Sequence, residues 1–249
     1  MIVANLATYP PRRDGMLDVV RALAPQVDRM NVVLNEYTEI PAELAAFANV
    51  HPVIPDENTM DVGKFYVEPT PDDIVFYVDD DIYPTNDFVA TTVDRFHALG
   101  PGRWLGGYHG SIYVKPSIRQ PLRLLRFSRR RIAGYRRVFS LDQMLESAVV
   151  VDQLGTGCAI ILGADAPPYS YMRDSRKFVD VRLARWCHEQ GITPVCLPRQ
   201  RDWIGTGRYG RASIHRTFTM RNPAHVAEEI WTYAFKVPGR GAPPPRISE

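Results

Sequence analysis

At 249 residues, 45% hydrophobic and 23% charged, the chain is long enough to bury a sizeable core and too apolar to be disordered over most of its length. No apolar run approaches a membrane span, and residues 1–7 are too short and wrongly flanked for a signal peptide, so a cytoplasmic location is expected. The net charge of +2 hides an asymmetry: between Lys115 and Arg137 stand eight arginines, one lysine and no acid, which leaves 21 bases against 28 acids elsewhere.

In chain order, residues 2–7 read as a first strand, and Thr8-Tyr9-Pro10-Pro11-Arg12 as a tight loop at its carboxyl end. Asp14 is placed to cap a helix whose stripe is Met16, Val19, Val20 and Leu23. A second strand over 30–34 ends in Asn35-Glu36-Tyr37, a short helix covers 41–47, and a third strand covers 50–54. Repeated βα units of this kind build a mostly parallel sheet. Residues 61–66, Asp61-Val62-Gly63-Lys64-Phe65-Tyr66, read as a helix opening. Gly63 and Lys64 there suit either a phosphate or a solvated amphipathic face, and the spaced glycines of a P-loop are missing.

The apolar strand predicted over 74–78 runs directly into Asp79-Asp80-Asp81, and Pro84 forbids a long continuation of the ladder. Three adjacent carboxylates repel one another and are costly to bury unpaired, so they call for water, for a turn or cap, or for a cation. At the carboxyl end of an α/β strand, a divalent metal is the sharper reading. Beyond the acids, 87–99 reads as a helix stopped by Gly100-Pro101-Gly102. Residues 104–108 and 111–114 read as strands paired around His109-Gly110, and 140–147 as a short helix. Strands over 149–151 and 159–162 flank Gly155-Thr156-Gly157. A helix over 177–190 ends at Gly191, a last strand covers 193–197, and a helix covers 228–235. The Pro- and Gly-rich residues 237–249 are expected to be a flexible tail. Cys158, Cys187 and Cys196, odd in number and without metal-ligand spacing, are expected to be reduced core thiols.

The order Ala7-Thr8-Tyr9-Pro10-Pro11-Arg12, Val32-Val33-Leu34-Asn35-Glu36-Tyr37, Asp61 to Tyr66, the triple acid with Ile82-Tyr83-Pro84, His109-Gly110, Leu154-Gly155-Thr156-Gly157 and Val179-Asp180-Val181 resembles bacterial nucleotide-sugar glycosyltransferases of the GT-A fold, close to the family-2 type. The likeness covers residues 2–205. It implies a single α/β domain over 1–236, with a nucleotide-sugar half (1–100), an acceptor half (101–236) and a basic insertion (115–137). It also implies transfer from a nucleoside-diphosphate sugar, a UDP-sugar first, to an acceptor hydroxyl, with Mn2+ or Mg2+ bound by a DXD-type motif.

In that likeness Asp79 and Asp81 would hold the metal, completed by His215, while Thr8, Tyr9, Pro10, Arg12, Asn35, Asp61, Lys64, Asp79 and Asp80 would face the nucleotide sugar. Asp180 would be the base that takes the acceptor proton, with Asp174 as a competitor. Asp180 could equally cap a helix or pair with Arg182 or Arg185, and the stereochemistry stays open. His109, Gly110, Thr156, Gly157 and Trp203 would line the acceptor side, Trp203 being read either as a sugar platform or as core. Arg119, Arg123, Arg126 and Arg130 would share one face of a helix, suited to an anionic membrane surface carrying a lipid-linked acceptor (a peripheral location at the inner face of a membrane), to nucleic acid or another polyanionic acceptor, or to plain solvation. Two rivals compete with this reading. One is a non-catalytic nucleotide- or carbohydrate-binding protein. The other is a nucleotidyltransferase, which would carry a Gly-rich loop where residues 8–13 have no glycine.

Overall fold

The computed structural model describes residues 1–207 and 223–244. The strands are β1 (Ile2–Thr8), β2 (Arg29–Leu34), β3 (Val50–Val53), β4 (Ile74–Asp79), β5 (Ile82–Tyr83), β6 (Trp104–Gly107), β7 (Gly110–Tyr113), β8 (Arg136–Phe139), β9 (Val149–Val150), β10 (Gln153–Leu154), β11 (Cys158–Leu162), β12 (Thr193–Cys196) and β13 (Gly205–Thr206). The helices are α1 (Arg13–Leu23), α2 (Phe88–His97), α3 (Pro121–Arg126), α4 (Tyr169–Met172), α5 (Val179–Gln190) and α6 (Ala224–Tyr233).

Eight strands form one sheet in the order β3-β2-β1-β4-β11-β6-β12-β9. Only β11 and β9 run against the rest, so six of the eight share one direction. This is the mixed α/β fold with a mostly parallel central sheet that the βα pattern predicts. Strand alternation divides the core. Ala4, Leu6, Phe76, Val78, Cys158 and Ile160 join the cluster under α1 and α2, whereas Val75, Tyr77, Ala159 and Ile161 join Leu183 and Cys187 of α5. In α1 the stripe Met16, Val19, Val20 and Leu23 is wholly buried. Asp14 does not cap α1; it lies inside the first turn, where the helix dipole still favours an acid. Gly191 ends α5 in the left-handed conformation, at φ 68°.

Register decides what meets at the site. Ala7 stands opposite Asp79, Thr8 opposite Leu34, Cys158 opposite Val78, and Ala159 opposite Gly107. The carboxyl ends of β1, β2, β4 and β6 and the start of β11 therefore lie along one border of the sheet, where α/β folds commonly bind ligands.

The structure departs from expectation mainly after residue 100. β6 and β7 do not pair: β6 is flanked on both sides by β11 and β12, and β7 pairs with β10 and β8 in a separate three-stranded sheet. No helix forms over 140–147, because the buried guanidinium of Arg199 takes the carbonyls of Ser140 and Leu141, and Leu145 bridges to Arg199. The helices expected over 41–47 and 61–66 are the 3-10 turns Ala42–Ala46 and Met60–Phe65. In the basic insertion, α3 spans only Pro121–Arg126, so Arg119 and Arg130 lie outside it and the four arginines share no helix face. Gln120 precedes the proline that starts α3, and Phe127 leaves it in an extended conformation.

The start of the expected tail is also ordered. Gly241 N donates to Val150 O at 2.8 Å, Val150 N donates to Ala242 O at 2.9 Å, and Arg240 Nε donates to the fully buried Asp152 at 2.9 Å. The carboxylate of Asp152 needs a cation where it sits, and this segment supplies it. Among the described residues, no helix is long and apolar enough to cross a membrane.

Candidate active site

The three acids at the end of β4 do three different things. Asp80 is turned inward, its side chain 5% exposed, and accepts hydrogen bonds from Thr8 Oγ1 at 2.7 Å and Arg12 Nη1 at 2.5 Å. Asp81 is partly open and meets the same guanidinium at 3.2 Å. Asp79 is the most open, 43% exposed, and accepts from Lys64 Nζ at 2.5 Å.

Lys64 differs from the expectation of a phosphate-facing lysine. It is buried, and its ammonium donates to Asp79 Oδ1 and, at 2.8 Å, to Thr156 Oγ1. Thr156 in turn gives both its amide and its hydroxyl to Asp180 Oδ1, each at 2.8 Å. A continuous line of polar contacts thus runs from Asp79 at the end of β4, through Lys64 and Thr156, to Asp180 in the first turn of α5. Residues more than a hundred positions apart are joined by it. Among the described residues Asp180 is neither a cap nor a salt-bridge partner: Phe178 occupies the cap position, Arg182 pairs with Glu229, and Arg185 with Glu189. Asp174 is exposed beside Arg173.

Two glycines set the spacing. Asp79 N donates to Gly157 O at 3.0 Å, and a Cβ on Gly157 would run into the Asp79 carboxylate. Any other residue there would push the acid away from Lys64. A methyl group on Gly155 would stand 3.5 Å from His109 Cβ and 3.7 Å from Asp180 Oδ2, so His109 and Asp180 flank one small space.

Burial and mutual repulsion set the ionisation. Burial, reinforced by the neighbouring Asp79, pushes the Asp81 carboxyl up to about 6. Burial likewise pushes Asp61 up to about 6, against the pull of the Lys177 amide and of Lys64. Asp80 is raised by burial, although Arg12 and Thr8 oppose this. Lys64 is the reverse case. Burial lowers its affinity for the proton, but Asp79, Asp180 and Asp61 outweigh burial and hold it above its ordinary value.

Comparison with known proteins bears on the fold. No protein-family model matches the chain, and no curated protein matches it in sequence. Glucosyl-3-phosphoglycerate synthase (GpgS) from Mycobacterium tuberculosis, in complex with uridine diphosphate, is similar at a TM-score of 0.50 and 14% identity, over 93% of this chain and 80% of the synthase. The chain has the GT-A fold. The galactosyltransferase LgtC with donor and acceptor sugar analogues matches at a TM-score of 0.46 and 10% identity, over 96% of this chain and 98% of LgtC. GpgS with Mn2+, UDP-glucose and phosphoglyceric acid matches at 0.43 and 14%, over 80% and 72%.

Within this GT-A fold, the donor set at β4 fits a hard divalent cation. Asp79 Oδ2 and Asp81 Oδ1 accept no hydrogen bond from the described residues, both are oxygen donors, and the raised proton affinity of Asp81 reflects burial first and repulsion from Asp79 second, both of which a bound cation would oppose. Among the described residues, no three His, Cys, Asp or Glu side chains gather as a metal-binding group. Two carboxylates alone suit a Mg2+ or Mn2+ that takes its remaining ligands from phosphates and water. His215 lies outside the described residues.

Other expected site residues have structural partners. Asn35 is buried and fully engaged, accepting from Thr59 N and Oγ1 at 2.7 Å and donating to the carbonyls of Thr8 and Met60. It ties the end of β2 to the 3-10 turn that carries Lys64. Gly110 is buried in β7 between Leu154 and Phe139. Trp203 is partly buried and packs against the core: Arg95 lies 4.4 Å over its ring, Tyr108 meets it edge-on at 5.3 Å, and its indole N–H donates to Asp87. Tyr9 is half-buried and Pro10 exposed on the loop above Arg12. One tie was missed in the sequence. Asp61 Oδ1 accepts from the Lys177 amide at 2.8 Å, where Lys177 has φ 74°, and so fastens the Lys64 turn to the approach to α5.

Proposed function

We propose that the chain is a glycosyltransferase that moves a sugar from a nucleoside-diphosphate donor, UDP-linked in the first instance, to an acceptor hydroxyl. The observation that carries this reading is the line Asp79–Lys64–Thr156–Asp180, which sets an acid pair suited to a cation beside an acid suited to take a proton. A Mg2+ or Mn2+ held by Asp79 and Asp81 would supply positive charge against the departing diphosphate. Arg12, pinned by Asp80 and Asp81, adds a fixed guanidinium on the same border of the sheet. Lys64 holds Asp79 through its ammonium and orients Thr156. Because Thr156 gives both its donors to Asp180 Oδ1, the other oxygen, Oδ2, is the one that receives the acceptor proton. This oxygen faces the space beside Gly155 and His109. The assignment is that of an inverting transfer.

The test is thermal unfolding with UDP and other nucleotides, with and without Mn2+ or Mg2+, followed by transfer assays. A ligand that binds the native state raises its midpoint. The expected result is a shift that needs the metal, is lost in Asp81→Ala, and survives in Asp180→Asn while transfer falls about 10²- to 10⁴-fold. A folded protein showing no metal-dependent shift with any nucleotide would overturn the reading. Transfer that survives in Asp180→Asn would instead remove Asp180 from the role of base.

A further inference from the structure

The segment between β7 and β8 contains two sets of apolar residues with opposite fates. Phe127, Ile132 and Tyr135 turn inward. Ile132 is wholly buried, Phe127 meets Tyr135 edge-on at 5.0 Å and Trp231 of α6 at 6.3 Å, and the Tyr135 hydroxyl donates to Arg123 O at 3.1 Å. These contacts mount the excursion on α6. Ile118, Leu122 and Leu125 point outward, 86%, 72% and 84% exposed. Leu122 and Leu125, three apart on α3, share a face. Exposed aliphatic residues that are scattered need no explanation, but here they are grouped on a mounted projection.

The same segment carries Arg119, Arg123, Arg126, Arg129, Arg130 and Arg131, all exposed, and among the described residues none of them makes an ion pair. No acid occurs from Lys115 to Arg137, so these cations have no counter-charge within the segment.

We infer that this excursion docks the protein on an anionic lipid bilayer, with Ile118, Leu122 and Leu125 entering the boundary between headgroups and acyl chains and the arginines of the segment meeting lipid phosphates. Apolar tips accompanied by basic residues are the chemistry of an interfacial anchor. Arginine stems can lie along the apolar boundary while their guanidinium groups stay among the headgroups. Nucleic acid fits less well. A single-strand binder offers exposed aromatic rings for bases to stack on, whereas here Phe127 and Tyr135 face inward and the exposed residues are aliphatic. The placement also has a use. β7 and β8 carry the excursion away from the Gly110–Phe139 end of the pair, next to His109, by three residue steps, or about 10 Å at some 3.3 Å per residue. The inference stands apart from the transfer reaction, since it rests on neither the acids nor a donor.

The experiment is co-sedimentation of the full chain, without nucleotide or metal, with vesicles of phosphatidylcholine alone and of phosphatidylcholine mixed with phosphatidylglycerol. The expected result is binding to the mixed vesicles only, reduced at least tenfold in an Ile118→Ser/Leu122→Ser/Leu125→Ser variant whose unfolding midpoint matches the wild type. A Leu122→Trp variant should show a blue-shifted emission on the mixed vesicles, which reports entry into the apolar boundary. If the wild type ignores both vesicles, or if the serine variant binds as well as the wild type, the inference fails. Tighter, salt-sensitive binding to a single-stranded oligonucleotide than to the vesicles would also overturn it and assign the surface to nucleic acid.

Discussion

Charge is concentrated in two regions of this molecule, and the two are built on opposite rules. At the end of β4 nearly every charge is answered from within: Asp80 by Arg12 and Thr8, Asp79 by Lys64, Asp180 by Thr156. In the excursion that carries α3 the arginines are exposed and, among the described residues, make no ion pair, Arg123 meeting only the ring of Tyr135. The difference separates charge that positions from charge that waits. The first is fixed by low-dielectric partners and should be costly to disturb; the second is solvated and should cost almost nothing until something anionic arrives.

Mutations can sharpen or break that contrast. The largest effect is expected from Lys64→Met, which removes a buried ammonium and leaves Asp79 and the Thr156–Asp180 pair without their shared cation. Urea unfolding should show a loss of about 1 to 3 kcal/mol, the usual cost of leaving polar partners without their donor, because Asp79 is open enough for water to reach it. A loss below about 1 kcal/mol would mean that water already does this work.

Asp61→Asn should have a smaller effect of the opposite sign. The folded state holds the Asp61 proton more tightly than the unfolded chain, with the carboxyl moved from 3.8 to about 6. Its contribution therefore becomes unfavourable as pH rises through that window and is fully unfavourable above it. Asparagine can keep the Lys177 bond without the charge. Unfolding at pH 7 should show a gain of about 1 to 2 kcal/mol that disappears near pH 4. A destabilised variant at pH 7 would show that the ionised acid is needed there.

Arg119→Gln/Arg123→Gln/Arg126→Gln should lie at the other extreme, with stability within about 0.5 kcal/mol of the wild type. A clear loss in the same unfolding experiment would reveal partners for these arginines and collapse the contrast.

The sequence disclosed the first region only in part. The five apolar residues before Asp79 and the βα spacing gave the parallel half of the sheet, because hydrophobic periodicity is a local property. The roles of the three acids were less visible. Successive residues at a strand end diverge, so Asp80 parts company with Asp79 and Asp81, and this alternation was the available sign that one acid turns inward. That Lys64 lies beneath Asp79 rather than over a phosphate depends on a contact spanning 15 residues and on Thr156, 92 positions away. No window of sequence contains both. The errors cluster after residue 100 for a related reason. β6 and β7 are four residues each, and which neighbours short strands choose is decided by the register of the whole sheet. The helix expected over 140–147 lost its carbonyls to Arg199, a residue more than fifty positions downstream.

The segment from Val237 to Ala242 has a consequence for how the protein behaves in bulk. Its hydrogen bonds to Val150 occupy the otherwise open flank of the outermost strand of the eight-stranded sheet. A polypeptide stopped at residue 236 would present that flank as a template for pairing with other copies, while Asp152 lost the cation that covers it among the described residues, Arg240. Such a product should fail by concentration-dependent aggregation rather than by a simple drop in melting temperature. Solubility thus becomes a property guarded by six residues that compose no strand of their own.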